Sequence, residues 1–523
     1  MIHGKNRIGY ELVGAESAAH NTVSSGGVTF YPAHSDALEL AVKKASKAFN
    51  IYKNIDNQQK AAFLEAIADE ILALGDELIK AAVEESSLPE GRITGERGRT
   101  VGQLKLFATL VKEGSWVDAV IDPAMPDRTP LPRADLRKMS VPVGPVAVFT
   151  ASNFPLAFST AGGDTASALA AGNPVIVKAH EAHLKTNELV GEAINKAAEK
   201  TGMPDGVFSY LIADSYELGT ALVKHPAIKS VAFTGSQKGG MALYKAANER
   251  AEPIPVFAEM GSINPVVILP EKLANEKESL AKTLAASVTL GVGQFCTNPG
   301  LILAVEDDNL NEFCTKLGAE IEQIVPGTML YSNVAKGYTA GREHALAQQG
   351  ITVEGVSKEA ASSELSGTPT VISVSGADFI ANPELHHEVF GPFSLVVKCK
   401  DKAELNSVLA STKGQLTATI MCTESDLPEF KDTVEKAGSI AGRLIFNGVP
   451  TGVEVCHAMQ HGGAFPASTD ARFTSVGTDA IKRFVRPLCL QDCPQEFLPA
   501  ELKDENPLGI WRKVNGGLTK DQI

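Results

Sequence analysis

"GPVAVFTA" at residues 144–151 and "NPVIVKA" at 173–179, with the helical run "AGGDTASALAAG" (161–172) between them, decide how this chain folds. Neither apolar run shows the polar alternation of a half-exposed strand, so each must be covered on both faces. The same texture continues outward through "GVFSYLI" (206–212), "SVAFTGS" (230–236), "IPVFAEMG" (254–261) and "NPVVILP" (264–270). Helical stretches to about 200, at 215–224 and to about 250 separate these runs. Short buried strands alternating with helices predict an α/β fold with a doubly wound parallel sheet, which binds ligands at the carboxyl ends of its strands.

A second α/β unit is predicted over 260–450 from the strand candidates "GLILAVE", "TPTVISV", "FSLVVKC" and "RLIFNGV". Upstream, Leu38, Val42, Ala45 and Phe49 recur at helical spacing after Ser35, a candidate N-cap; Phe63, Ile67, Ile71 and Leu74 repeat the pattern. Residues 118–142 are rich in proline and charge and read as a loop leading into an extended arm. The tail beyond 485 reads as proline-rich and irregular.

Composition excludes several classes of function. A formal charge of −14 argues against a nucleic-acid partner, which would require a basic face. It also leaves any anionic substrate to be drawn in by local cations rather than by the field of the whole protein. The seven cysteines form no CxxC pair, which predicts neither a zinc knuckle nor a disulfide framework and suits a reducing, cytoplasmic setting. No apolar signal segment opens the sequence, and no run is long enough to predict a membrane span.

The chemistry is sought at the strand ends. "TLGVGQFCTNPG" (289–300) places Cys296 after a glycine-rich break. A cysteine is often inert core filler, but Gly291 and Gly293 would let backbone approach a ligand closely. The C-terminus of the preceding helix would not acidify a thiol, so activation must come from elsewhere, such as a bound cationic nicotinamide or neighbouring amides. Glu259 closes a buried strand and reads either as a satisfied buried acid or as a general base. Asn153 in "ASNFPLAF" is an uncharged donor for an oxyanion. Lys178 and Glu181 at the end of "NPVIVKAHE" could grip ribose hydroxyls or be a solvated strand end. Gly235 and Ser236 open a helix that could face phosphate, although Ser236 is equally an ordinary cap. Glu388 precedes a Gly-Pro turn; adjacent His386 and His387 do not make a convincing metal pair, and no metal is expected.

Taken in order, "SNFP", "VKAHE", "FTGS", "EMG", "GQFC" and "EVFGP" resemble the successive signature motifs of the aldehyde dehydrogenase superfamily, at matching intervals over nearly the whole chain. The resemblance implies that Cys296 is the nucleophile, that Asn153 forms the oxyanion hole with the backbone N–H of Cys296, and that Glu259 activates the hydrolytic water. It further assigns Lys178 and Glu181 to the adenosine ribose, Gly235, Ser236 and Gly240 to the pyrophosphate, and Glu388 and Phe390 to the nicotinamide ribose. Phe158, Phe295, Thr297, Asn298 and Thr451 flank these motifs and are candidates for the substrate tunnel, with Arg472 or Arg443 as the cation for a distal carboxylate.

The sequence also departs from the superfamily pattern. Ala151-Ser152 replaces a proline-tryptophan, Ser262 replaces a glycine, and "HGGAFPASTDARFTSVGT" (461–478) replaces a glycine-rich tail motif. That tail is similar to the 2,5-dioxopentanoate (α-ketoglutarate semialdehyde) dehydrogenase branch, whose reaction yields 2-oxoglutarate. Oxidation of fatty or other aliphatic aldehydes is the alternative, and a CoA-acylating reductase is a further one disfavoured by the presence of Glu259. NAD is the expected cofactor and NADP the poorer one, because Glu181 would repel a 2′-phosphate. The implied architecture is a dinucleotide-binding domain over 1–122 and 143–258 and a catalytic domain over 259–465. An oligomerisation arm and tail over 123–142 and 466–523 would build a homodimer or homotetramer.

Overall fold

A computed structural model describes residues 2–14, 23–25 and 27–523. Among the described residues, two seven-stranded sheets and one five-stranded sheet organise the fold, beside two two-stranded ribbons. In the first, Val256–Glu259, Ser230–Thr234, Val146–Phe149, Val175–Lys178 and Phe208–Leu211 lie side by side in that order and all parallel. Asn6–Ile8 and then Glu11–Val13 extend it antiparallel. The chain leaves Val146–Phe149 toward one edge and returns to Ser230–Thr234 on the other side. This reversal opens a crevice above the carboxyl ends of these two strands. Val146, Ala147, Val148, Val175, Ile176 and Val177 are at most 1% exposed; burying a side chain such as valine or isoleucine contributes about 1.5–3 kcal/mol. The absence of polar alternation in these strands is thus the signature of helices on both faces.

The N-terminal helices are Ser35–Tyr52, Asn57–Ala73, Gly75–Ser86 and Glu90–Glu113. Ser35 lies inside the first of them. The capping position falls on His34, whose side chain makes no cap hydrogen bond, whereas Asp56 does cap the second helix through the Gln59 N–H.

In the second sheet Thr370–Ser375, Phe393–Cys399, Leu301–Val305, Pro265–Ile268, Gln415–Met421 and Ala441–Phe446 are parallel, in that order. Thr352–Val356 closes one edge antiparallel with a bulge. The two sheets are joined by only five residues between Glu259 and Pro265, so the end of the first sheet faces the start of the second.

The third sheet corrects the reading of the tail as irregular. Val485–Gln491 pairs antiparallel along its whole length with Leu136–Pro142, and Val120–Asp122, Arg512–Val514 and Gly517–Thr519 complete the sheet. Val120–Asp122 therefore pairs with the arm rather than with the dinucleotide-binding sheet. Proline did not prevent the pairing because Pro487 sits on a strand at the sheet edge, where a missing N–H costs no ladder bond. The segment before it folds back onto the first sheet: Met260 N–H donates to the Ala467 carbonyl, Thr469 N–H to that of Ala258, and Ser468 bridges Glu259. This return delivers residues 461–475 to the end of the strand that carries Glu259.

Candidate active site

The loop carrying Cys296 begins where helix Pro270–Thr289 ends. Gly291, Val292 and Gly293 all adopt positive φ, at 56°, 59° and 65°. A β-branched residue in this region is strained. The expectation that these glycines admit a ligand is not what the packing shows at Gly293: a Cβ there would lie 2.2 Å from the Gly391 carbonyl carbon, so the glycine admits a neighbouring loop. Asn264, itself at φ 46°, donates through Nδ2 to the carbonyls of Cys296 and Asn298, both at 2.9 Å. Two backbone contacts thus hold the cysteine from the first residues of the second sheet.

Around the Cys296 thiol the structure gathers residues from remote points in the sequence. His461 Nε2 lies 3.5 Å from Sγ and 3.0 Å from Glu259 Oε1. Ser475 donates to the other carboxylate oxygen of Glu259 at 2.6 Å. One ligand-type atom from each of Glu259, Cys296 and His461 falls within 4.8 Å of the other two. Glu259 and His461 are buried, and Cys296 is half-buried. Asn153 is buried, and its amide donates to the Gln294 carbonyl at 3.3 Å, two residues before the cysteine.

The charges of this cluster are coupled. Burial alone would raise the Glu259 carboxyl, but His461, Ser475 and Cys296 outweigh it and hold the group below its usual range. Burial pushes the Cys296 thiol well above its ordinary value, the Glu259 charge adds to this, and Arg99 opposes it. The resting pair is therefore a carboxylate beside a neutral thiol. Among the described residues His461 Nδ1 is buried with no partner, and an Nε2–H tautomer donating to Glu259 accounts for the contacts seen.

The substrate candidates divide. Phe158 packs on His461 with ring centroids 6.1 Å apart, and Phe154 bridges Phe158 and Phe295 at 5.4 and 5.6 Å. Thr297 is buried. Asn298 donates to the Gly391 carbonyl, and Thr451 exchanges a hydrogen bond with Ser287, so both hold backbone or neighbouring side chains. The structure does not bring Arg472 to the thiol: its side chain is 81% exposed and bound through two nitrogens to Asp470. Arg443 donates to the Pro450 and Gly452 carbonyls and so braces a loop.

Toward the first sheet, Lys178 ends its strand. Burial lowers its ammonium's pKa, with Glu181 acting the other way, and no protein acceptor among the described residues takes a hydrogen bond from it. Glu181 is exposed and accepts weakly from Asn333 at 3.4 Å. Gly235 N–H donates to the Glu259 carbonyl, and Ser236 caps helix Gln237–Asn248 through the Gly239 N–H. A Cβ on Gly240 would lie 2.7 Å from Met260 Sδ, so the absence of a side chain serves close helix–strand packing here. Glu388 and Phe390 line a shallow cleft with Phe295 and Asn298. Glu388 accepts from the Ser262 N–H at 3.2 Å, and burial raises its carboxyl to about 7.

His461, Ser475 and Asn264 were not legible as site residues. His461 stands in a stretch that departs from the superfamily pattern, and a lone histidine more than 150 residues from Cys296 carries no spacing signal. Ser262 gains a reason in the structure. Its hydroxyl contacts Gln415 Oε1 at 2.8 Å and accepts from the Leu416 N–H, tying the Glu259 turn to the second sheet.

A strand-end carboxylate beside a cysteine, with a crevice at the sheet reversal, defines an oxidoreductase of the aldehyde-oxidising kind. The chain belongs to the aldehyde dehydrogenase family, whose model matches residues 23–485. It is 53% identical over 479 residues to alpha-ketoglutaric semialdehyde dehydrogenase 2 of Azospirillum brasilense, covering 92% of this chain and 91% of that protein. It is 46% identical over 527 residues to alpha-ketoglutaric semialdehyde dehydrogenase of Acinetobacter baylyi, covering 99% of both. Among solved structures, 1-pyrroline-5-carboxylate dehydrogenase from Thermus with bound NAD superposes with a TM-score of 0.76 at 21% identity, covering 93% of this chain and 92% of that one. Among the described residues no helix is long and apolar enough to cross a membrane.

Proposed function

We propose that the protein oxidises α-ketoglutaric semialdehyde to 2-oxoglutarate through a thioester on Cys296. The observation that carries this reading is the closed contact set Cys296–His461–Glu259–Ser475, which puts a thiol, an imidazole and a charged carboxylate within reach of one carbonyl carbon. The two curated relatives of 53% and 46% identity support the choice of substrate.

The residues fit a nicotinamide dinucleotide. A half-buried ammonium at Lys178, without a protein acceptor among the described residues, suits ribose hydroxyls, and the N-terminus of the helix that begins at Gln237 suits pyrophosphate. Glu388 and Phe390 would hold the ribose nearer the thiol. When bound, the dinucleotide supplies a hydride acceptor.

The protein's own residues divide the remaining work. Cys296 Sγ attacks the aldehyde carbon as its proton leaves to solvent, so that Glu259 is still a carboxylate when the thioester has formed. The Asn153 amide donates to the oxyanion; removal of one such donor costs about 10²–10³ in rate. Once the thioester has formed, Glu259 takes a proton from water, whose oxygen displaces the sulfur and releases the acid. Ser475 and His461 keep the carboxylate charged and aimed until then. The buried setting limits water until it is needed.

NAD is the expected cofactor over NADP, because Glu181, exposed and held only weakly by Asn333, would repel a 2′-phosphate bound beside Lys178. Domain roles follow the sheets: the first binds the dinucleotide, the second holds the cysteine loop, and the arm with the tail joins subunits. Exposed Leu131, Leu488, Phe497, Trp511 and Leu518 on the arm and tail support self-association. Seven unpaired thiols support a cytoplasmic setting.

The test is a substrate panel with NADH formation as readout. Oxidation of α-ketoglutaric semialdehyde with a kcat/KM well above that of neutral aliphatic aldehydes is the expected result. Acyl-CoA as product in the presence of CoA would overturn the hydrolytic route.

A further inference from the structure

We propose that Arg99 is the anion anchor of the active site, the residue that binds the distal carboxylate of an aldehyde acid and thereby sets substrate class. The inference rests on the reading of the site given above and adds to it the residue that selects the substrate.

Of the arginines near the cysteine loop and its covering segments, Arg483 is paired with Asp164 and three others donate to the chain, although Arg92 Nη1 and Arg443 Nε are also buried without a partner among the described residues. Arg92 donates to the Asn153 carbonyl at 2.8 Å, Arg443 to the carbonyls of Pro450 and Gly452, and Arg472 to Asp470. Among the described residues Arg99 makes no hydrogen bond; its Nε and Nη2 are buried without a partner, and Glu96 on the same helix is the largest charge acting on it. A desolvated guanidinium with open donors is costly to maintain unless something completes it.

Its position fits the task. Arg99 lies on helix Glu90–Glu113, with its guanidinium carbon 5.5 Å from the Phe154 ring centroid and 5.2 Å from that of Phe158. These aromatic faces hold the cation without using its N–H groups. Phe158 in turn packs on His461, whose Nε2 contacts the Cys296 thiol. The charges of Cys296 and Glu259 bear on Arg99, which places it in the same electrostatic enclosure. In α-ketoglutaric semialdehyde four bonds separate the aldehyde carbon from the carboxylate carbon, an extended reach of about 5 Å. Phe158 touches both ends of that span, with its ring centroid 5.2 Å from the Arg99 guanidinium carbon and 6.1 Å from that of the imidazole. Because the protein as a whole carries a charge of −14, an anionic substrate needs such a local cation.

The experiment compares wild type, Arg99→Gln and Arg99→Lys with α-ketoglutaric semialdehyde and with pentanal, a neutral aldehyde of the same length. If wild type itself prefers pentanal, the underlying substrate reading fails. If wild type prefers the anionic aldehyde, Arg99→Gln is expected to raise KM and lower kcat/KM for it by about 10²-fold, with pentanal changed by less than about 3-fold. Arg99→Lys should recover part of the loss, since it restores charge without the planar fork. Thermal unfolding separates folding from recognition: a single cooperative transition with a Tm within about 5 °C of wild type shows that the variant is folded. An Arg99→Gln enzyme that folds and keeps the wild-type ratio between the two aldehydes would overturn the assignment. So would an equal loss on both.

Discussion

The two halves of the site are finished to different degrees. On the cysteine side the polar atoms are largely answered by the chain: both oxygens of Glu259 are engaged, and Asn264 and Asn153 clamp the loop around Cys296. On the dinucleotide side the groups stand open, with Lys178 lacking an acceptor and Glu181 in solvent. The difference follows from what each half must do. A reacting group gains from being fixed before the substrate arrives, because reorganisation during the reaction is then avoided. A binding surface must keep donors free for the ligand that completes them.

This contrast is broken most severely at the thiol. Cys296→Ala should abolish aldehyde oxidation, by about 10⁴-fold or more in kcat, while dinucleotide binding measured by fluorescence quenching changes little. Persistent turnover would mean that the closed cluster is scenery. Next in size is the carboxylate. Glu259→Gln should leave one rapid equivalent of NADH per site and then stall, because the thioester forms but its hydrolysis falls by about 10²–10³-fold. His461→Gln should cost about 10²-fold as well. Since His461 and Glu259 share one hydrogen bond, the double variant should be little worse than the worse single one; full additivity would show that they act independently.

The open half responds more gently. Glu181→Ser removes the charge that opposes a 2′-phosphate, and the ratio of kcat/KM for NADP to that for NAD should rise by about 10-fold. No change in the ratio would place the 2′ position elsewhere.

How far the sequence reveals this contrast depends on distance along the chain. The parallel sheet was legible because burial on two faces writes itself into continuous apolar runs such as Val175–Val177. Cys296, Glu259 and Asn153 could be singled out because each ends a strand or stands beside a glycine break, and the order of motifs tied them together. His461 and Ser475 could not. They reach Glu259 only through the return of 461–475 along the first sheet, and no local pattern encodes that return. Arg472 was chosen for its neighbourhood in sequence, but Asp470, two residues before it, captures its guanidinium. Gly293 and Gly240 were read as facing ligands, whereas a Cβ on either meets Gly391 or Met260. A glycine in a sequence announces close approach without saying to what.

Glu388 lies between the two halves and gives the smallest effect with the sharpest sign. Burial raises its carboxyl from the ordinary value to about 7, against the opposing Ser262 N–H. The folded protein therefore binds a proton at Glu388 in the interval from about pH 4.5 to about pH 7 that the unfolded chain has already released. Its contribution to stability is fully present below that interval and is lost as pH rises through it. Glu388→Gln carries no such proton, so its Tm should gain on wild type by roughly 2–4 °C between about pH 5 and about pH 8. Adding NAD should reduce that gain if the ribose supplies the hydrogen bonds that a charged Glu388 lacks in the free protein, because the ligand then favours the ionised form. A gain unaffected by NAD would assign Glu388 to the packing of the Gly261–Ser262 turn alone, and would move the boundary between the finished and the open half to the far side of this residue.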